Sequence, residues 1–169
     1  MFIMKEGSTI KNLFMIYAPD GIHIRGGNIL VDRVINLDVC EDALSTSSKT
    51  NYTNFIEIDK DCIDYLQKSV PEISTSIIND DFLKINLKSF KAPLLIVGNF
   101  PYNISNQILF KIYENRSIVQ SMVGMFQFEV AERICSKAGS KKYGILSVLI
   151  QAYFDVEMKI KIKPKSFYP

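Results

Sequence analysis

Leu94-Leu95-Ile96-Val97 is an unbroken apolar run that stops at Gly98-Asn99-Phe100-Pro101-Tyr102. A run this short and this apolar suits a strand covered on both faces, and such strands belong to parallel sheets flanked by helices. The surrounding sequence repeats the theme. Phe55 to Asp59 is a short apolar strand ending in acids, and Lys60 to Val70 places Ile63, Leu66 and Val70 at helical spacing. Ser76-Ile77-Ile78 reads as another strand before Asn79-Asp80-Asp81. After the Leu94 run, Ser105 is read as the N-cap of a helix carrying Ile108, Leu109, Ile112 and Tyr113. Ser121 to Gln127 gives a further strand, and Glu129 to Ser136 and Tyr143 to Gln151 give helices. Phe154, Val156, Met158, Ile160 and Ile162 then alternate with charged residues, the period of a half-exposed strand. Strands alternating with helices indicate an α/β fold with a mostly parallel sheet.

At 169 residues and 47% hydrophobic, the chain can bury one core. Residues 1–36 carry turn markers (Pro19-Asp20-Gly21, Gly26-Gly27) but no long period, so they are set apart from a domain over 37–169. A net charge of +2 does not by itself argue for nucleic acid, although lysines cluster over Lys137 to Lys142 and Lys159 to Lys165. Cys40, Cys62 and Cys135 form no CxxC pair, and His23 is the single histidine. No metal is therefore expected, and the thiols read as reduced cysteines of a cytoplasmic protein. No apolar run approaches membrane-spanning length, so no membrane partner is expected.

Ligands of open α/β sheets sit beyond the carboxyl ends of the strands. Glu57 closes one strand, where a carboxylate can accept both hydroxyls of a ribose; an ordinary water-facing acid is the plainer reading. Asp81 follows the next strand and can accept from an adenine amino group, or simply cap a turn. Asn99 to Tyr102 is the sharpest feature. Pro101 keeps Phe100 out of the helical region, so the Phe100 carbonyl can face a cleft. Asn99 adds a side-chain carbonyl, so two acceptors can hold an exocyclic amine, and Tyr102 offers a flat face to an unstacked base. A proline turn with Tyr102 packed on the core remains the alternative.

Val97 to Ser105 resembles motif IV of the ribosomal RNA adenine dimethyltransferases, which methylate adjacent adenines near the 3′ end of small-subunit RNA. Gln127-Phe128-Glu129-Val130-Ala131-Glu132-Arg133 and Gly139 to Val148 are similar to two further signatures of that family. Phe167-Tyr168-Pro169 resembles its Phe-x-Pro motif, and Glu57-Ile58-Asp59 and Asn79-Asp80-Asp81 its second and third motifs. The resemblance implies a class I methyltransferase fold of Rossmann type and S-adenosylmethionine as cofactor. It assigns Glu57 to the cofactor ribose, Asp81 to its adenine, and Asn99 with the Phe100 carbonyl to the target amine. Pro101 shapes that turn, Tyr102 and Phe167 stack on the target base, and no metal takes part. The implied partner is small-subunit ribosomal RNA in an immature subunit, met by a monomer. A large-subunit adenine methyltransferase and an inactive RNA-binding remnant are the rivals.

The cofactor loop departs from the family. A glycine-rich turn belongs about twenty residues before the ribose acid, yet no glycine stands between Gly27 and Gly98. Asp38 fits the family's first acid, with Glu41 and Asp42 where glycines belong. Gly26-Gly27-Asn28-Ile29-Leu30 resembles the family's Gly-Gln-Asn-Phe-Leu motif and adds Asn28 and Leu30 to the cofactor set, which by the resemblance also takes in Asp38 and Asn99. The chain stops at Pro169, before the family's last sheet strand and its helical C-terminal domain. An incomplete sheet is therefore expected, with the strand Phe154 to Ile162 left open beside a missing neighbour.

Overall fold

A computed structural model describes the backbone of residues 2–5, 16–18, 21–24, 29–32 and 44–46, and residues 53–161 apart from the side chains of Thr53, Glu72 and Asn99. In chain order the early strands are β1 (Phe2–Lys5), β2 (Ile16–Ala18), β3 (Gly21–Ile24), β4 (Ile29–Asp32) and β5 (Leu44–Thr46). The regular part follows as β6 (Thr53–Glu57), α1 (Lys60–Ser69), β7 (Ile77–Asn79), β8 (Leu94–Asn99), α2 (Ser105–Glu114) and β9 (Val119–Met125). It closes with α3 (Phe128–Ile134), α4 (Ile145–Gln151) and β10 (Asp155–Met158).

Among the described residues a seven-stranded sheet runs in the order β10-β1-β9-β8-β4-β6-β7, and β2, β3 and β5 form a separate three-stranded sheet. From β9 to β7 every pairing in the large sheet is parallel. Helices α1 and α2 make the crossovers that parallel neighbours require. Apolar continuity explains the centre: Leu94, Leu95, Ile96 and Val97 of β8 are all buried, and Ile96 packs with Ile108, Leu109 and Ile112 of α2. α1 is fastened at its start by Asp59, whose side chain accepts from the Asp61 N–H, an ordinary N-cap. α3 and α4 are joined by partly buried polar contacts. Ser147 Oγ donates to the Arg133 carbonyl at 2.7 Å, and Gln151 Nε2 donates to the Ile134 carbonyl at 2.6 Å.

Two expectations need correction. Ser105 does not cap α2; it is the helix's first residue, and its hydroxyl bonds backward to Pro101 and Tyr102. The neighbour of the final strand is present: β1 lies between β9 and β10, antiparallel to both, with Phe2 opposite Met158 and Gly124. That long-range pairing leaves no periodicity in sequence, which is why the slot reads as empty there. The central slot between β8 and β6 is taken by β4, with Asp32 level with Ile56 and Gly98. β1 and β4 both come from residues 1–36 and both sit in the large sheet.

One close approach in this sheet fixes a residue identity. A Cβ on Gly124 of β9 would meet Phe126 Cε2 at 2.6 Å and Phe100 Cε2 at 2.7 Å. The two rings stack over that glycine with centroids 5.2 Å apart. Gly124→Ala should therefore destabilise the chain by about 1–3 kcal/mol through overpacking, read as a lower midpoint in urea denaturation; an unchanged midpoint would refute the packing described.

Candidate functional site

β6, β7 and β8 run parallel, so their carboxyl ends share one edge of the sheet. Glu57 is level with Asn79 in the β6–β7 register, and Asn99 ends β8 opposite Met125 of β9. Glu57 is only 2% exposed. Its Oε1 accepts from the N–H groups of Ile58 at 2.7 Å and Asp59 at 2.8 Å, which curls the chain tightly past the strand end. Asn79 Nδ2 bridges to the Glu57 carbonyl at 3.0 Å and locks β7 to that curl. Asp81 uses Oδ1 to accept from the Leu83 N–H at 2.9 Å, and its own carbonyl accepts from Lys84 and Ile85. Lys84 Nζ stands 3.7 Å from Asp81 Oδ2 and is largely exposed, so solvent screens the pair.

A cleft of about 210 Å³ opens between these elements, lined by Ile58, Asp80, Asp81, Phe82, Leu83, Pro101, Asn103 and Ile104. Two walls face each other: the turn after β7 and the turn after β8. Ile58 and Pro101 give apolar surface for a flat ring, and Asp81 supplies the carboxylate beside it. Few polar groups placed around an apolar hollow is the usual build of a small-molecule site.

The turn after β8 is held from inside. The Phe100 ring is 1% exposed, stacked on Phe126 and tilted against Phe82 at 6.3 Å. The Phe100 N–H donates to the Met125 carbonyl at 3.3 Å. Pro101 takes φ −59° and ψ 136°. The Ser105 hydroxyl is shared between the carbonyls of Pro101 at 3.2 Å and Tyr102 at 3.1 Å. Tyr102 is thereby turned outward and is 50% exposed.

Of the residues singled out by sequence, Glu57, Asp81, Asn99, Phe100, Pro101 and Tyr102 fall on this one rim. The Asn99 side chain, Asn28, Asp38 and Phe167 lie outside the described residues, and Leu30 is described only as backbone in β4. Sequence reading missed Asn79, Gly124 and Lys111 as structural partners of the rim. Gly124 alone carried a signal, because glycine inside a strand marks a close approach. No group of His, Cys, Asp and Glu that could hold a metal occurs among the described residues. No helix among them is long and apolar enough to cross a membrane.

The family model described as ribosomal RNA adenine dimethylase matches residues 45–169. The chain belongs to the ribosomal RNA adenine dimethylase family. Its α/β sheet is that of a class I methyltransferase of Rossmann type, in incomplete form. The chain is 48% identical over 119 residues to the ribosomal RNA small subunit methyltransferase A of Flavobacterium johnsoniae, covering 69% of this chain and 46% of that protein. With the protein of the same name from Bacteroides thetaiotaomicron it shares 46% identity over 123 residues, covering 72% of this chain and 46% of the relative. It thus spans under half the length of these curated relatives. The crystal structure of a dimethyladenosine transferase from Plasmodium falciparum superposes with a TM-score of 0.54 at 21% identity, over 76% of this chain and 46% of that one. A pectate lyase model matches residues 1–58. Asn28, Leu30 and Asp38 therefore lie upstream of the dimethylase match, within the stretch that this second model covers.

Burial pushes the Cys135 thiol up, Glu157 adds to the rise, and a hydrogen bond from the Met158 backbone opposes it. A raised thiol holds its proton at neutral pH, so Cys135 should alkylate more slowly with iodoacetamide at pH 8 than a free cysteine and accelerate only at higher pH. Peptide-resolved labelling against a free-cysteine standard checks this; an equal rate would contradict the burial. Removing the shared hydroxyl in Ser105→Ala should cost about 1 kcal/mol and speed amide hydrogen exchange over 102–105. Exchange unaltered there would mean that Ser105 does not fasten the turn.

Proposed function

We propose that residues 53–161 carry the ring cleft and the target-amine turn of an S-adenosylmethionine-dependent enzyme that dimethylates N6 of adjacent adenines near the 3′ end of small-subunit ribosomal RNA. The observation that carries this reading is the rim itself. Glu57, Asp81 and the Asn99–Tyr102 turn stand at one sheet edge, on a chain belonging to the dimethylase family. We place the activity in the cytoplasm, with a monomer meeting the immature subunit.

The cleft fits the adenosine half of the cofactor. Its apolar faces, Ile58 and Pro101, suit an adenine ring, and Asp81 suits the ring's amino group; Glu57, beneath Ile58 with Oε1 held by two backbone N–H groups, is assigned to the ribose by the family resemblance. When bound, S-adenosylmethionine supplies an electrophilic methyl group. The chain's own work is alignment. In this reading Asn99 Oδ1 and the Phe100 carbonyl accept the two amine hydrogens, which turns the nitrogen lone pair toward the cleft. Among the described residues no backbone N–H is seen to donate to the Phe100 carbonyl. Tyr102, exposed at the rim, stacks on the flipped base, and Phe167 is assigned to the same task. Orientation of this kind can supply most of a transfer reaction's acceleration without an acid, base or metal.

The methionine half is a different matter. Asn28, Leu30 and Asp38 are the remaining cofactor candidates, yet no glycine stands between Gly27 and Gly98 to let backbone approach the methionine carboxylate. We therefore propose that this chain holds the adenosine end and grips the methionine end poorly. Calorimetry should give S-adenosylmethionine an affinity no better than that of adenosine. An affinity more than about tenfold tighter would show that another backbone arrangement receives the methionine.

Transfer itself is tested by grafting a Gly-x-Gly loop and the relatives' C-terminal region onto this chain and offering unmodified small-subunit RNA with labelled cofactor. Methyl groups should appear on adjacent adenines. Asn99→Ala in that protein should abolish transfer and leave adenosine affinity within about twofold. Loss of both together would remove Asn99 from the amine, and methylation elsewhere would refute the assigned substrate.

A further inference from the structure

The cleft has two walls from distant parts of the chain, and one helix is fastened to both. At its first residue, α2 holds the Pro101–Ile104 wall through the Ser105 hydroxyl. Nearly two turns on, Lys111 Nζ donates to the carbonyls of Leu83 at 2.9 Å and Ile85 at 2.6 Å, in the opposite wall. The same ammonium lies 5.6 Å from the centroid of Phe82, a buried ring that packs on Phe100. Leu83 lines the cleft, and its N–H is the group that orients Asp81.

We infer that Lys111 is a positioning residue that sets the width of the ring cleft by clamping the turn after Asp81 to helix α2. The physical case rests on what the ammonium touches. Hydrogen bonds from a charged donor are stronger than neutral ones, and two of them here end on backbone carbonyls two residues apart. Those carbonyls belong to a short turn whose other internal ties are the Asp81 bonds to Leu83, Lys84 and Ile85. Without the clamp the turn keeps its shape and loses its distance from Pro101. Lys111 touches no reacting atom, so its influence falls on ring affinity and not on methyl transfer.

This inference rests on the proposed occupancy of the cleft by an adenine ring, and the test separates the two. Adenosine is titrated into the wild-type chain, Lys111→Met and Lys111→Arg, and amide hydrogen exchange is followed over 80–86 without ligand. Lys111→Met should bind adenosine about tenfold more weakly and exchange faster at 82–85. Lys111→Arg, whose fork can reach two carbonyls, should recover most of both. Unchanged exchange at 82–85 in Lys111→Met overturns the clamp, as does faster exchange spread evenly across β6 and β8, which would mark a general loss of stability. Wild-type chain that ignores adenosine, together with locally faster exchange in Lys111→Met, removes the adenine reading and upholds the clamp. Equal adenosine affinity in all three proteins overturns the role in affinity.

Discussion

Everything at the rim depends on where the Phe100 ring goes. Sequence presents Phe100 as a backbone carbonyl before a proline; the structure makes its side chain the anchor of the turn. The ring is buried between Phe82 and Phe126 over the bare Cα of Gly124. With the ring inside, strand alternation places Asn99 at the strand's last register position, and Pro101 turns the chain away from the sheet. Pro101 is half-buried in the cleft wall, and Tyr102 is the first exposed residue described after β8. The burial of one phenylalanine, worth about 1.5–3 kcal/mol by the area it removes from water, is thus what holds a polar turn at the edge of an apolar core.

The two walls of the cleft follow from the same core. Phe82 contacts Phe100 from the far side, so the turn after β7 and the turn after β8 meet through their aromatic side chains beneath the cleft. Above that contact the polar ties take over: Asn79 to the Glu57 carbonyl, Asp81 to the Leu83 N–H, and Lys111 to the Leu83 and Ile85 carbonyls. Each satisfies backbone groups that a strand end or turn would otherwise leave without a partner. An apolar floor with these backbone groups tied around it describes a preformed hollow, which is what selective binding of a flat ring asks for.

Much of this was legible from residue order, for reasons that can be named. Strands β6 and β8 and helices α1 and α2 follow from apolar runs and helical spacing, which are local. The rim follows from the rule that parallel strands place their carboxyl ends together. The misreadings were non-local. Ser105 has the chemistry of an N-cap, but its hydroxyl was claimed by carbonyls of the preceding turn. Phe2–Lys5 carries no mark of its pairing with β9 and β10, because a strand's partner is set by which edge is free and not by its own period. Lys111 lies on the stripe Ile104, Ile108, Lys111, Asn115 and reads as an ordinary helix cation until the turn it grips is seen. The dimethylase match begins at residue 45, and two strands of the large sheet, β1 and β4, come from upstream of it.

The central claim is that one rim, assembled from the ends of β6, β7 and β8, receives an adenine nucleoside. Amide hydrogen exchange of the intact chain with and without saturating S-adenosylhomocysteine tests it most directly. The account predicts protection confined to 57–59, 80–83 and 100–104, the segments that frame the cleft. Protection centred on 16–46, or none at a concentration where binding is measurable by calorimetry, would contradict it.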